Sequence, residues 1–147
     1  MIIAVGSDHA GFEGPEPLYK PTIIKHLQER GHQVVDCGTN GPESVDYPDF
    51  GARVAQTVAR GDAARGVVLC GTGIGIGIAA NRYPGIRAAT CATPEMARLA
   101  REHNDANVIA LGRRILSLTE CLELIDIWLD TPFSQDPRHE RRVEKLG

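Results

Sequence analysis

Short β-branched apolar runs alternate along this chain with stretches of helical periodicity. The runs are Ile2–Val5, Gln33–Cys37, Gly66–Cys70, Ile86–Cys91 and Asn107–Leu111, each about as long as a buried strand. The segments between them carry helix punctuation. One extends from Pro21 to Gly31 and another from Pro48 to Gly61. A third opens on Thr93-Pro94-Glu95, where Thr93 can cap the first turn and Pro94 fits a position whose N–H has no helical partner. A fourth begins with the capping-box pattern Ser117-Leu118-Thr119-Glu120, and Leu118, Cys121, Leu122, Ile125, Trp128 and Leu129 then share one face until Thr131-Pro132 ends it. The last segment, Asp136 to Leu146, has helical spacing but little apolar surface, so it is expected to lie across the body or against a partner subunit. Strands separated by helices predict an α/β fold with a parallel sheet covered on both faces, because parallel neighbours need a right-handed crossover.

Composition narrows this picture. With 147 residues, 42% of them hydrophobic, the chain is expected to form a single domain over 1–147. A net charge of -3 gives no basic field of the kind that nucleic-acid binding needs, so any anion must be held locally. The apolar start Met1–Val5 reaches Gly6-Ser7-Asp8 too soon to be a signal peptide or a membrane span, which leads us to expect a soluble, cytoplasmic protein. Cys37, Cys70, Cys91 and Cys121 are widely spaced without a C-x-x-C pair, and read as free thiols.

In a parallel sheet, ligands collect beyond the carboxyl ends of the strands, where helix N-termini point unpaired N–H groups outward. The polar and glycine-rich segments at such ends are Gly6-Ser7-Asp8-His9, Cys70-Gly71-Thr72-Gly73-Ile74-Gly75-Ile76-Gly77 and Gly112-Arg113-Arg114. The glycine run does not match G-x-G-x-x-G at Gly71 or Gly73, and only Gly75-x-Gly77-x-x-Ala80 fits the looser form, five residues beyond the strand. No G-x-x-x-x-G-K-[ST] loop is present, and Ile76 stands where a C-x5-R phosphatase loop needs arginine. What remains is a strand-end cysteine followed by amides that can converge on an oxyanion. A cysteine closing an apolar strand is commonly a small core residue. Beside amides and a helix N-terminus its thiolate is favoured, and it can serve as proton acceptor or as nucleophile; the residues alone leave both open. No H-E-x-x-H or clustered Cys/His spacing indicates a metal site.

Six segments in order then carry a resemblance: Ser-Asp-His-Ala-Gly-Phe at 7–12, Val-Asp-Tyr-Pro-Asp-Phe at 45–50, Cys-Gly-Thr-Gly-Ile-Gly at 70–75 with Ala-Ala-Asn-Arg at 79–82, Gly-Ile-Arg-Ala at 85–88, His-Asn-Asp-Ala-Asn at 103–107, and Arg-His-Glu-Arg-Arg-Val-Glu at 138–144. Together they resemble the type B ribose-5-phosphate isomerases, a group that also contains galactose-6-phosphate isomerase subunits and isomerases of other sugar phosphates. The resemblance implies a Rossmann-like three-layer sandwich with a five-stranded parallel sheet. It also implies a homodimer, or a tetramer built from it, with active sites between subunits, a sugar-phosphate substrate and no cofactor. Cys70 then matches the proton acceptor, Gly71, Thr72, Gly73, Ile74 and Gly75 the enediolate nest, and Thr72 a helper in moving protons between O1 and O2. Some members carry a glutamate base where this chain has Gly75. His103 matches the ring-opening acid, although its spacing from Met96 and Leu99 also suits the edge of a helical stripe. Asn104, Asp8 and His9 match sugar and phosphate contacts. Arg138 and Arg142, four residues apart on one helical face, match a phosphate clamp, and Arg114 a further phosphate contact supplied across the dimer interface. Arg113 and Arg141 are expected to contribute less.

The chain departs from that family after Phe12. Glu-Gly-Pro-Glu-Pro-Leu-Tyr-Lys-Pro-Thr at 13–22 replaces an uninterrupted first helix and is longer. Pro15, Pro17 and Pro21 predict an irregular segment, with the helix starting near Pro21. Two rival classes also use these features: a non-catalytic nucleotide-binding module would use the sheet and glycines, and a thiol-based acyl or phosphoryl transferase would use Cys70.

Overall fold

The computed structural model describes all of residues 1–147. Five strands, β1 (Ile2–Ser7), β2 (Gln33–Asp36), β3 (Arg65–Cys70), β4 (Ala88–Thr90) and β5 (Val108–Gly112), form one parallel sheet in the order β2-β1-β3-β5-β4. The helices are α1 (Tyr19–Glu29), α2 (Tyr47–Ala59), α3 (Ile74–Asn81), α4 (Pro94–Glu102), α5 (Leu118–Asp130) and α6 (Pro137–Leu146), with a 3-10 turn at His9–Phe12. The result is the expected three-layer α/β sandwich.

Alternation along the strands feeds two cores. Ile3, Val5, Val67, Leu69, Ile109 and Leu111 pack beneath α1, α4 and α5 with Ile23, Leu27, Ile125 and Trp128. Ala4, Val68, Val108 and Ala110 face the other way, against Phe50 and Val54 of α2 and Ile76 and Ala80 of α3. The chain therefore leaves β1 toward one face and β3 toward the other, opening the crevice between their carboxyl ends that such sheets use for ligands.

Several boundaries differ from the sequence reading by a few residues. α1 starts at Tyr19, two residues before Pro21, because a proline within the first turn removes an N–H that has no helical acceptor. β4 is shorter than Ile86–Cys91 because Asn107 and Asn81 side chains accept from the Arg87 and Ala88 amides in place of a neighbouring strand. The glycine loop passes into α3 already at Ile74. The charged C-terminal segment is helical and lies across the body: the Ser134 amide donates to Glu102 at the end of α4, and His139 is the one buried residue of α6.

Candidate active site

Cys70 ends β3 directly opposite Gly112 of β5. Its side chain is 4% exposed and joins the core beneath α2 and α3, so it does pack as a small interior residue. Its sulfur is not enclosed by hydrocarbon alone, however: the Gly73 amide donates to Sγ at 3.2 Å. That amide is aimed by a left-handed Gly73, φ 80°, which caps α3. A Cβ there would come within 2.8 Å of the Leu111 carbonyl carbon, so only glycine lets the loop close over β5. Thr72 and Ile74 are exposed beside it, and Thr72 Oγ1 accepts from the Ile74 amide at 3.2 Å. The sulfur thus sits at the positive end of α3, among N–H groups able to receive a developing oxyanion.

A Cβ at Gly75 would meet the Tyr47 ring at 2.6 Å. Tyr47 therefore covers Gly75, and any side chain at that position would have to displace its ring. Sequence reading gave Tyr47 no role; its signal was membership of the 45–50 segment at the start of α2.

Two residues from the end of β1 line up with this loop. Asp8 is buried, its amide donates to the Leu69 carbonyl at 3.3 Å, and its carboxylate accepts from the Ala10 amide at 2.9 Å, so it works as the cap of the 3-10 turn. His9 Nδ1 accepts from the Val45 amide at 3.2 Å, which leaves the proton of the neutral ring on Nε2.

Arg114 follows β5, and its amide donates to the Gly71 carbonyl at 2.9 Å. Its Nη1 is 3.3 Å from the position of a Gly71 Cβ, and its Nη2 donates to Glu13 Oε1 at 2.6 Å. That bond holds the Glu13 carboxyl below the usual range and raises Arg114 further. Within its own chain, Arg114 therefore lies beside the loop that follows Cys70. Arg113, set aside in the sequence reading, straps the 13–14 backbone, donating to the Glu13 and Gly14 carbonyls while its guanidinium lies over the Tyr19 ring.

The remaining predicted residues gather elsewhere. His103 caps the C-terminus of α4, ahead of the start of β5 at Val108, whereas Cys70 pairs with the end of β5 at Gly112. Four strand steps separate those levels by about 13 Å, so His103 and Cys70 of one chain do not meet. Around His103 stand exposed Asn104, Arg138 and Arg142, and the His139 ring lies 4.2 Å away, centroid to centroid. His139 Nδ1 is 2.7 Å from Ser134 Oγ. Burial first, then the charges of His103 and Arg138, holds His139 below the ordinary histidine range. The carboxylate nearest Arg138 is Asp136 at 3.8 Å, and Arg142 is exposed and forms no ion pair, so its guanidinium is open to an anion. A cavity of about 440 Å³ opens here, lined by Asn104 with Asn81, Ile86, Arg87, Ala88 and Leu146. His139 was not singled out from sequence, although it lies between the two clamp arginines.

A third feature borders the Cys70 loop. From Ile74 to Ala80, α3 contains only isoleucine, glycine and alanine, and Ile74 and Ile78 are 57% and 60% exposed beside a half-exposed Tyr47. A helix that is apolar all round belongs in an interior. No group of three His, Cys, Asp or Glu side chains converges as metal ligands, and no helix is long and apolar enough to cross a membrane.

Comparison with known proteins agrees with this geometry. Residues 3–146 match the family described as Ribose/Galactose Isomerase. Ribose-5-phosphate isomerase B of Escherichia coli is 44% identical over 98% of this chain and 93% of its own length. The structure of Clostridium thermocellum ribose-5-phosphate isomerase B superposes with a TM-score of 0.94 at 52% identity, covering 100% of this chain and 95% of that one. Trypanosoma brucei type B ribose 5-phosphate isomerase gives 0.91 at 44% identity, covering 99% and 95%. This chain belongs to the ribose/galactose isomerase family.

Proposed function

We propose that this chain is an aldose–ketose isomerase that interconverts ribose 5-phosphate and ribulose 5-phosphate, with Cys70 as the base. The observation that carries this reading is the Gly73 N–H directed at the Cys70 sulfur at the N-terminus of α3, with Arg114 alongside. In the open-chain aldose, the thiolate takes the C2 proton, and the electron pair moves into a cis-enediolate whose oxygens receive the amides of Gly71 through Gly75. Thr72 assists proton movement between O1 and O2, and the thiol returns the proton to C1, leaving the ketose. Asp8 and Asn104 contact sugar hydroxyls, and His9, Arg114, Arg138 and Arg142 share the phosphate.

His103 protonates the ring oxygen to open the furanose, and it does so for a neighbouring copy. A two-fold dimer brings the Cys70 end of one subunit against the His103 end of the other, twice, and makes two equivalent sites from one set of residues. The exposed Ile74, Ile78 and Tyr47 beside the site support such an interface. The reaction needs no metal electrophile, and the protein works as a cytoplasmic homodimer.

Cys70→Ser tests the base. The hydroxyl keeps the acceptor for the Gly73 amide but is not ionised near neutral pH, so turnover should fall by about three orders of magnitude or more while substrate affinity is retained. Full activity in that variant refutes the assignment. A panel of pentose and hexose phosphates, assayed with and without chelator, tests substrate and metal independence together.

A further inference from the structure

The proline-rich segment after Phe12 places a carboxylate on a cation of the site. Glu13 Oε1 accepts from Arg114 Nη2 at 2.6 Å, and that guanidinium borders Gly71, next to Cys70. The contact is built: Arg113 grips the Glu13 and Gly14 carbonyls from beneath, so Glu13 is delivered to Arg114 by its own backbone. Glu13 is partly buried, whereas the Arg114 side chain is 62% exposed and holds the carboxylate through one of its two terminal nitrogens. An exposed, single-contact ion pair is weak, and a phosphate monoester carries up to two charges and can bind an arginine through two oxygens.

We infer that Glu13 is a displaceable internal anion that occupies Arg114 until the substrate phosphate replaces it, and that it thereby sets the affinity of this subsite and its preference for dianions. The inference rests on the reading of Arg114 as a phosphate contact. With Glu13 in place, a ligand must bring enough negative charge to compete for the guanidinium. A dianionic phosphate does so, and an uncharged sugar does not. Once displaced, the carboxylate remains near the phosphate and repels it, which keeps binding reversible. The arrangement also gives Glu13 a function apart from folding, because Arg113 and Tyr19 already anchor the segment.

The test is steady-state kinetics of the full-length protein carrying Glu13→Gln, Arg114→Gln or both, with ribose 5-phosphate as substrate and inorganic phosphate as inhibitor. Glu13→Gln should lower both KM and the phosphate inhibition constant by about three-fold, the scale of an exposed ion pair, with kcat nearly unchanged. Glu13→Ala should do the same, since it too removes the charge. In the Arg114→Gln background the gain should vanish, because no cation is left to release. A gain that persists there overturns the inference. So does a KM that is unchanged or raised by Glu13→Gln while Arg114→Gln raises it, which leaves the phosphate-site reading intact. If Arg114→Gln leaves KM and phosphate inhibition unaltered, that reading fails and the inference falls with it.

Discussion

Gly73 joins the backbone of the site to its chemistry, and replacing it with alanine separates several costs. The residue has φ 80°, where a side chain costs about 1–2 kcal/mol. The added methyl would also lie 2.8 Å from the Leu111 carbonyl carbon and 3.1 Å from its nitrogen, contacts that only backbone movement can relieve. Overpacking of that kind costs about 1–3 kcal/mol. Gly73→Ala should therefore lose about 2–5 kcal/mol, and a domain of this size loses roughly 2–4 °C of melting temperature per kcal/mol. Gly85→Ala is the control, since φ there is 82° but nothing lies within 4 Å of the new methyl, leaving only the backbone term. Urea unfolding of both variants at one protein concentration gives the difference, and turnover gives the consequence for the site. Shifting the loop moves the Gly73 amide off the Cys70 sulfur, so Gly73→Ala should also lose activity while Gly85→Ala keeps it. If the two variants are equally stable and Gly73→Ala turns over normally, the loop is not held against β5 as described.

Arg142 is exposed and forms no ion pair, so Arg142→Gln should leave stability within about 0.5 kcal/mol and raise KM for the sugar phosphate by about ten-fold; an unchanged KM removes it from the phosphate site. Burial raises the Cys91 thiol to about 11 and the Cys121 thiol to about 12 from an ordinary 9.0. Both should resist iodoacetamide at pH 8 until urea unfolds the chain, and labelling of either in the native protein would contradict their burial. Because the folded values are raised, this contribution to stability is complete below pH 9 and lost as pH climbs through 11 to 12; a Cys121→Ala variant should show a shallower alkaline decline, and an identical slope counts against the linkage. His139 is shifted the other way, so its contribution holds above the ordinary histidine range and is lost as pH falls through its depressed value. Protection factors of the α6 amides, taken relative to intrinsic exchange at each pH, should fall between pH 7 and pH 5, and unchanged protection would show that His139 does not secure the helix.

Much of this was legible in the residues. The apolar runs ending at Val5, Cys70 and Leu111 announced three adjacent strands, because strands buried on both faces leave no polar alternation to blur their limits. The capping box at Ser117 marked the start of α5 correctly, both of its reciprocal bonds being formed. β4 is shorter than its apolar run because the side-chain oxygens of Asn81 and Asn107 accept from the Ala88 and Arg87 amides, pairings that the run itself does not signal. The glycine loop and Cys70 could be joined in advance, since three residues of one turn connect them. Tyr47 over Gly75 and Glu13 on Arg114 could not, because each depends on how two distant segments meet. The separation of His103 from Cys70 was hidden for the same reason: a helix antiparallel to its strands carries its last residue to the far end of the sheet, which only the register of β5 reveals.

That separation yields the most direct test. Cys70→Ala and His103→Asn proteins should each be severely impaired alone. Unfolded together in equal amounts and refolded, they should form hybrid dimers in which one site draws Cys70 from one subunit and His103 from the other, both intact. Activity should return to about a quarter of the wild-type value, since half of the dimers are hybrids and each has one good site of two. If each site were made within one chain, no hybrid could hold a complete set, and a mixture no more active than its components would contradict the shared site.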